Sequence, residues 1–289
     1  MKKNAILITG ASSGIGAGTA KALAEQGFRV FAGVRNPQKA ISSDALINPI
    51  PVKLDVTDTL DITRAVEQVS TILQEEKLGL AGIVNCATTE YQGPVEILPI
   101  KFMRHEMEVN YFGTVMVTKA FLPLLRESVG RIVNITSING FCVFNSIGSS
   151  CAAKYAVEAF SDALRLELKP WGIHVSIIEP GGVATPLWKK SLRAFEELPN
   201  HVTQDQIRLY YPSWKKSLQI AIKDEAEHYK KTMPVEIVVR DIIHALTAPK
   251  PKTRYLVGRF AKTVAFFKWL LPDRYFDHFA MAEFKEQPD

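Results

Sequence analysis

A glycine-rich turn near the start of the chain is the feature that most constrains its fold. The letters TGASSGIG occupy residues 9–16, between the apolar run 5–8 and an amphipathic stretch over 17–26. Gly10 permits a sharp reversal, Gly14 leaves room for a nearby phosphate, and Gly16 lets the next helix pack closely on the strand. Because that helix points its N-terminal N–H groups at the turn, the segment predicts a strand, a phosphate-binding loop and a helix.

Size and composition are those of a globular protein. The chain has 289 residues, which is enough for one large α/β domain with a full core, and its 47% hydrophobic and 22% charged residues are ordinary values. The formal net charge of +5 suits an anionic ligand, although an incidentally basic surface explains it equally well. No basic block with interleaved aromatic residues precedes residue 250, so we expect no nucleic-acid partner.

The cysteines and the N-terminal segment indicate the cellular compartment in which the protein is expected. Cys86, Cys142 and Cys151 lack the paired spacing of a disulfide framework or a zinc site, so we expect a reducing, cytoplasmic location and no metal. The apolar run after the first three residues is too short for a signal peptide and leads directly into the glycine turn. No segment has the length and apolarity needed to span a bilayer.

Strand-like and helix-like segments alternate along the chain. Continuous apolar runs, such as residues 175–178, are typical of strands covered on both faces. The predicted strands are 4–9, 28–34, 50–55, 80–86, 130–136, 173–178 and 253–257. The predicted helices are 14–27, 58–77, 99–127, 148–170 and 234–247. The alternation predicts a single α/β domain over residues 1–289, built on a doubly wound parallel sheet of about seven strands.

Two segments depart from the alternation. Residues 186–234 form a polar and aromatic helical insertion after the sixth strand, which we interpret as a lid, because ligands of such sheets lie beyond the carboxyl ends of the strands. A helical pair packed at the sheet edge is the alternative. Residues 258–289 form a helical tail with aromatic and basic side chains. We favour a packed helix or a dimer contact for the tail over contact with a membrane surface or a lipophilic substrate.

The ordered motifs resemble those of the short-chain dehydrogenase/reductase family. Besides the glycine turn, the matches are LDV at 54–56, VNY at 109–111, ITS at 135–137, Lys154, and EPG at 179–181 with Thr185. The resemblance covers residues 4–186 well and the remainder loosely. It implies a Rossmann-like fold, a nicotinamide dinucleotide across the carboxyl ends of the strands, and hydride transfer to or from a carbonyl or alcohol. The chain looks nearest to family members that handle steroids, retinoids and similar lipophilic alcohols, and the family suggests a homodimer or homotetramer.

The resemblance also implies which residues contact the dinucleotide. Asp55 is expected to hold the adenine ring, with an acidic cap on the following helix as the alternative. At the end of the second strand the chain has Arg35 and no carboxylate, which favours NADP(H) over NAD(H), because a guanidinium neutralises a ribose 2′-phosphate. An ordinary surface cation is the alternative for this arginine. The residues expected to bind the cofactor are Thr9, Gly10, Ser12, Ser13, Gly14, Ile15, Gly16, Arg35, Asp55, Val56, Asn85, Ala87, Lys154, Pro180, Gly181, Val183 and Thr185.

The family's catalytic group comprises an Asn, a Ser, a Tyr and a Lys, with the Tyr four residues before the Lys on one helix face. That spacing places an ammonium beside the phenol, lowers the phenol's pKa and lets it exchange a proton with the substrate oxygen. Asn110, Ser137 and Lys154 match, but Ser150 stands where the tyrosine is expected. A serine hydroxyl is much less acidic and much shorter, and loss of a positioned general acid costs about 10²–10⁴-fold in rate.

Neighbouring residues do not supply the missing phenol. Tyr155 adjoins Lys154 and is turned onto another helix face, where we expect it to pack. The sequence does not place Tyr91, Tyr111, Tyr210 or Tyr211 in the cleft.

A second departure from the family pattern lies after the fourth strand. The chain has NCAT at residues 85–88, where the family commonly has a glycine at the last position. The Cβ of Thr88 is expected to crowd the turn or shift the cofactor. Cys142 and Cys151 are expected near the cleft as small buried side chains, with a reactive thiol at Cys151 as the alternative.

Four interpretations of the function follow. The favoured one is an NADP(H)-dependent oxidoreductase acting on a lipophilic ketone or secondary alcohol, with activity weakened or lost because of Ser150. In it, Ser137 polarises the substrate oxygen, while Lys154 and Asn110 support a proton relay through water. The others are a dinucleotide-binding pseudoenzyme, a lyase, isomerase or cyclase without redox chemistry, and a deliberately inactivated variant of a dehydrogenase.

Overall fold

A parallel sheet with helices on both faces forms the body of the protein. The computed structural model describes residues 2–38, 49–206, 208–210 and 232–280. The strands of that part of the chain are β1 (Lys2–Thr9), β2 (Arg29–Val34), β3 (Ile50–Lys53), β4 (Leu78–Asn85), β5 (Arg131–Ile135), β6 (His174–Pro180) and β7 (Arg254–Val257). Every predicted strand is confirmed, with ends that differ by a few residues.

The strand order makes the sheet doubly wound, as predicted. The order is β3-β2-β1-β4-β5-β6-β7, and every neighbouring pair is parallel. From β1 the chain proceeds outward through β2 and β3, and then crosses to β4 on the other side of β1. The carboxyl ends of β1 and β4 therefore flank the point where the winding reverses, and ligands of such sheets bind in the crevice at that point.

The helices lie between the strands and after the last one. They are α1 (Gly14–Glu25), α2 (Thr59–Glu75), α3 (Ile100–Glu106), α4 (Gly113–Ser128), α5 (Gly148–Glu167), α6 (Leu187–Glu197), α7 (Val235–Thr247), α8 (Arg259–Leu270) and α9 (Asp273–Ala280). The sequence predicts one helix over 99–127, but a π-helical turn, Met107–Phe112, separates α3 from α4. Such turns are rare and are found frequently at functional sites.

The sheet divides the core into two apolar layers. Successive side chains of β1 point to opposite faces, so both faces of this strand are buried. Leu7 packs in the layer that contains Phe121 of α4. Ile6 and Ile8 pack in the layer that contains Val238 of α7. This arrangement explains why the strand sequences are continuous apolar runs.

The described part of the insertion after β6 packs against the loop that follows β4. Phe195 and Leu198, from α6 and the turn after it, are buried in a small apolar cluster with Ile97 and Leu98. Tyr91, from the same loop as the last two residues, packs on the edge of this cluster. Residue 207 and residues 211–231 of the predicted lid lie outside the described residues.

The described part of the C-terminal tail packs on the body of the protein. Ala261 and Val264 of α8 are buried together with Phe276 of α9. Phe266 and Trp269 of α8 remain exposed, the latter by 80%. Among the residues described, no helix is both long enough and apolar enough to cross a membrane.

Substitution of Gly16 tests the close packing of the glycine turn. A Cβ built at this position would overlap the carbonyl oxygen of Gly10, so the turn has to open. We expect Gly16→Ala to lower the free energy of unfolding by about 1–3 kcal/mol, measured by urea denaturation without cofactor. Gly181→Ala is the control, because its Cβ would meet no atom closer than 3.6 Å. Equal destabilisation by the two substitutions would contradict this account.

Candidate active site

The turn between β1 and α1 lies against two other loops at the carboxyl edge of the sheet. Gly10 and Gly14 have positive φ angles of 66° and 55°, which favour glycine. A Cβ at Gly10 would lie 2.7 Å from the Cα of Ala87, in the loop after β4. A Cβ at Gly14 would lie 3.1 Å from the side chain of Thr185, in the loop after β6. The glycines therefore let three segments meet at one point.

The N-terminus of α1 fits an anion. Ser13, the N-cap residue, has an extended backbone, and within the described part of the chain its side chain makes no capping hydrogen bond. The first turn carries no acidic residue. The first N–H groups of a helix lack intrahelical partners, and the helix dipole is positive there. Ser12 is exposed beside this end, and Ile15 is half-buried. The arrangement fits the pyrophosphate of a dinucleotide.

Thr9 and Asn85 hold the strand ends in place. The Oγ1 of Thr9 accepts hydrogen bonds from the backbone N–H groups of Cys86 and Ala87, at 3.0 and 3.1 Å. The amide nitrogen of Asn85 donates to Asn134 on β5 at 2.8 Å and also to a threonine of α4. Both side chains are buried, so their observed role is to brace the loop that follows β4.

Arg35 and Asp55 follow β2 and β3. Arg35 is exposed directly after β2, whose Gly33 carbonyl accepts a hydrogen bond from the N–H of Ala11 in the glycine turn. The Oδ1 of Asp55 accepts hydrogen bonds from the N–H and the hydroxyl of Thr57, at 3.0 and 2.7 Å, and so closes a local turn. The alternative of an acidic helix cap at Asp55 is wrong, because the N-cap of α2 is Asp58.

The residues next to these turns are also near the crevice. Val56 is buried and packs where a Cβ at Gly113, the first residue of α4, would lie. The N–H of Gly181, which follows Pro180 at the end of β6, donates to the carbonyl of Val257 at 3.2 Å. Val183 forms a parallel bridge with Met233, at the far end of the insertion. This bridge therefore joins the two ends of the predicted lid to each other.

Asn110 lies in the π-helical turn and holds the loop after β4. Its side-chain oxygen accepts hydrogen bonds from the hydroxyl of Thr88 at 3.1 Å and from the N–H of Thr89 at 2.9 Å. Its amide nitrogen donates to the carbonyl of Thr89 at 2.9 Å. Thr88, which the sequence suggested would crowd the cofactor turn, is exposed and bonded to Asn110.

Lys154 and Ser150 lie one turn apart on α5, and both are buried. The ammonium of Lys154 donates to the carbonyl of Ile135 at 3.1 Å, two residues before Ser137. The hydroxyl of Ser137 donates to the carbonyl of Pro180 at 3.4 Å. Burial lowers the pKa of Lys154, while nearby negative charges oppose that shift. Lys154 and Ser137 are therefore both held by backbone carbonyls, the former at the carboxyl end of β5 and the latter directly after it.

The described tyrosines near these residues have other partners. Tyr91 stacks on Phe102 with ring centres 4.5 Å apart, Tyr111 packs edge-on against Phe160, and the hydroxyl of Tyr210 donates to Glu96. Tyr155 is 41% exposed, so the prediction that it packs is wrong. Tyr211 lies outside the described residues.

Two carboxyl groups near the start of α5 were not predicted from the sequence. Glu90, in the loop after β4, accepts hydrogen bonds from Ser150 at 3.4 Å and from Ser191 of α6 at 3.1 Å. Glu106 is fully buried and accepts a hydrogen bond from the N–H of Tyr91 at 2.8 Å. Burial raises the pKa of Glu106 to about 7. The one feature of the sequence that could have identified Glu106 is its spacing, because it lies four residues before Asn110 in the same predicted helix.

The cysteines of the site are not reactive groups. Cys142 and Cys151 are buried, and burial raises the pKa of their thiols to about 12 and about 11. Reactive cysteines require a lowered pKa, so the expectation of small buried side chains is confirmed and the alternative of a reactive Cys151 is wrong.

The sheet order, the glycine turn and the uncapped α1 N-terminus define a Rossmann-like dinucleotide-binding protein. The chain matches the family described as short chain dehydrogenase over residues 4–195, and it belongs to that family of oxidoreductases, whose members bind NAD(P) and act on hydroxyl or keto groups.

Individual relatives are similar over most of the chain. Mitochondrial D-beta-hydroxybutyrate dehydrogenase of Bos taurus is 37% identical over 269 residues, which cover 87% of this chain and 76% of the relative. Human 17-beta-hydroxysteroid dehydrogenase type 2 is 33% identical over 293 residues, 98% of this chain and 74% of the relative. The crystal structure of a short chain dehydrogenase from Burkholderia cenocepacia in complex with NADP has a TM-score of 0.71 and 25% identity, and covers 99% of both chains.

The raised pKa of Glu106 predicts a pH-dependent stability. The ordinary pKa of a glutamate is 4.5, and in the folded protein that of Glu106 is about 7. Between these two pH values the folded protein keeps the proton of Glu106, whereas the unfolded chain releases it. The free energy of unfolding therefore falls as pH rises through this window, with a share from Glu106 of about 3 kcal/mol. We expect Glu106→Gln to remove that share, measured by urea denaturation at pH 5 and pH 8.

The control for this experiment is Glu96→Gln, which removes an exposed carboxylate from the loop that precedes α3. This substitution should leave unchanged the decrease in the free energy of unfolding between pH 5 and pH 8. Glu179, whose pKa burial also raises to about 7, is present in both variants, so a smaller decline remains in Glu106→Gln. A decline in Glu106→Gln as large as that of the unsubstituted protein would refute the assignment.

Proposed function

We propose that this chain is an NADP(H)-dependent oxidoreductase acting on a lipophilic ketone or secondary alcohol, with turnover slowed because Ser150 occupies the place of the family's tyrosine. The observation that carries the proposal is the buried ammonium of Lys154, which donates to the carbonyl of Ile135 at the end of β5 and lies one helical turn after Ser150. A buried cation at the carboxyl edge of the sheet, where ligands of such folds bind, suits catalysis at a substrate oxygen.

The residues present fit a dinucleotide. The first turn of α1 and Gly14 would hold the pyrophosphate, because a Cβ at that glycine would fill the space beside Thr185. Arg35 is exposed at the end of β2, where it would pair with a ribose 2′-phosphate. The NADP in the related Burkholderia structure supports the same choice. The bound nicotinamide supplies or accepts the hydride.

The chain's own residues would orient the substrate. The Ser137 hydroxyl would donate to the substrate oxygen, and Lys154 would stabilise negative charge on that oxygen in the transition state. Asn110 would hold the loop after β4 in place by accepting hydrogen bonds from Thr88 and Thr89. A water bridging Ser150 to the substrate would sustain slow proton transfer.

A lipophilic substrate is supported by the surroundings of the crevice. The insertion and the loop after β4 meet through an apolar cluster that includes Phe195, Leu198 and Tyr91. The Glu90 carboxylate would repel the carboxylate of a small hydroxy acid. These features favour a neutral, apolar alcohol or ketone, in line with the related 17-beta-hydroxysteroid dehydrogenases rather than with the hydroxybutyrate enzymes.

Substitution of Arg35 tests the choice of cofactor. We expect Arg35→Ser to raise the Kd of NADPH about tenfold or more, because a charge-assisted bond to the 2′-phosphate is lost, and to leave the Kd of NADH unchanged. Fluorescence titration of the reduced cofactor measures both. Lys119→Ser is the control, since Lys119 is an exposed cation on α4. An equal change for NADPH and NADH, or none for either, would count against NADP(H).

Restoration of the phenol tests the proposed activity. We expect Ser150→Tyr to raise ketone-dependent oxidation of NADPH by about 10²–10⁴-fold, because the variant regains a positioned proton donor beside Lys154. Acetophenone, cyclohexanone and estrone are the probes, and absorbance of NADPH is the readout.

The control for the restored phenol is Ala152→Tyr, which adds the same group on the exposed face of α5. It should give no gain. No gain with Ser150→Tyr, although NADPH binds, would favour the pseudoenzyme, and absence of NADPH binding would overturn both interpretations.

A further inference from the structure

The Glu90 carboxylate is held from three directions beside position 150. Its Oε2 accepts a hydrogen bond from Ser150 of α5 at 3.4 Å, and its Oε1 accepts one from Ser191 of α6 at 3.1 Å. The side chain of Gln92, in the same loop, donates to Oε1 at 3.4 Å. Glu90 follows β4 by five residues, so the carboxylate stands at the carboxyl edge of the sheet.

The charge of Glu90 acts on the buried lysine of the site. Burial lowers the pKa of Lys154, and the negative charges of Glu90 and Glu106 are among those that oppose this shift. Burial raises the pKa of Glu106, and the charge of Glu90 adds to that increase. The charges of three carboxyl groups therefore act on this ammonium, those of Glu90, Glu106 and Glu158. Glu106 is fully buried and Glu90 is half-buried.

The small size of Ser150 explains how the Glu90 carboxylate comes to lie beside position 150. A serine at this position is much shorter than a tyrosine, and its hydroxyl donates to the carboxylate of Glu90. The carboxylate that accepts this bond offers what the absent phenol would supply, an oxygen that exchanges a proton, and its charge acts on the ammonium of Lys154. Ser191 shows that the insertion also contributes to holding the group.

We propose that Glu90 is the acid–base residue of this site and exchanges the proton with the substrate oxygen, with Ser150 and Ser191 as its positioning residues. The inference rests on the proposed function. In the oxidative direction the alcohol O–H bond breaks and its proton passes to a carboxylate oxygen of Glu90. The carbinol C–H bond breaks, its hydride goes to the oxidised nicotinamide cofactor, and the C=O bond forms. Glu90 then releases the proton to water, and reduction reverses each step.

Removal of the carboxylate is the first arm of the test. The full-length protein is assayed with NADP⁺ and with 1-phenylethanol, cyclohexanol or estradiol. We expect Glu90→Gln to lower kcat by about 100-fold or more, since an amide cannot accept the proton. The Kd of NADPH, followed by fluorescence, should change by less than about twofold. Glu96→Gln is the matched control, because it removes a carboxylate of the same loop that bonds Tyr210 in the insertion.

Chemical rescue by formate and a test in the Ser150→Tyr variant distinguish a catalytic role of Glu90 from a structural one. Added formate should restore the kcat of Glu90→Ala in proportion to its concentration, because formate brings a proton acceptor into the space that the side chain leaves. Glu90→Gln should cost less than about threefold in the Ser150→Tyr background, where a phenol takes the proton. A purely structural role for Glu90 predicts neither result.

The outcomes distinguish the inference from the proposed function. Equal kcat for the unsubstituted protein and Glu90→Gln, or activity confined to Ser150→Tyr, would overturn the role of Glu90 and leave the oxidoreductase standing. Loss of activity in Glu90→Gln without rescue of Glu90→Ala by formate would also overturn it. No turnover by the unsubstituted protein or by Ser150→Tyr, although NADPH binds, would overturn both. The expected loss together with rescue by formate would establish it.

Discussion

The close approach of backbone segments at the glycine turn is the constraint on which the site depends. No Cβ can stand at Gly16, because it would overlap the Gly10 carbonyl, and none fits at Gly10 beside the backbone of Ala87. The glycines thus bring the carboxyl ends of β1 and β4 together. Thr9 completes the junction by accepting hydrogen bonds from the first two N–H groups of the loop after β4. That loop carries Glu90, so the position of the candidate acid–base residue follows from the packing of the turn.

Local patterns explain why most of the fold could be predicted. Strand-like segments, several of them continuous apolar runs, predicted all seven strands, and the TGASSGIG turn predicted the loop between β1 and α1, because both signals lie within short stretches. The break between α3 and α4 could not be predicted, since apolar periodicity continues across residues 99–127. The π-helical turn is associated with hydrogen bonds between Asn110 and two residues, Thr88 and Thr89, that are more than twenty residues away in sequence. Contacts at that distance leave no periodic signal.

The sequence distance between interacting residues also explains which residues of the site were predicted and which were missed. Ser150 and Lys154 are four residues apart on one helix, so their spacing alone placed them on one face, as the structure shows. Glu90 meets Ser150 across 60 residues and Ser191 across 101. A glutamate in a loop is ordinarily a solvated charge, and only the packing of α5 and α6 around this loop turns it inward.

Electrostatics link the serine at position 150 to the carboxylate beside it. An ammonium as buried as that of Lys154 is costly unless negative charge or hydrogen bonds compensate for the lost hydration. A phenol is neutral at pH 7 and offers little compensation, whereas the negative charge of Glu90 favours the charged form of the lysine. The small Ser150 side chain leaves room for that carboxylate and donates a hydrogen bond to it. Absence of the phenol and presence of Glu90 are therefore two parts of one arrangement, in which negative charge compensates the buried cation and a proton acceptor lies beside position 150.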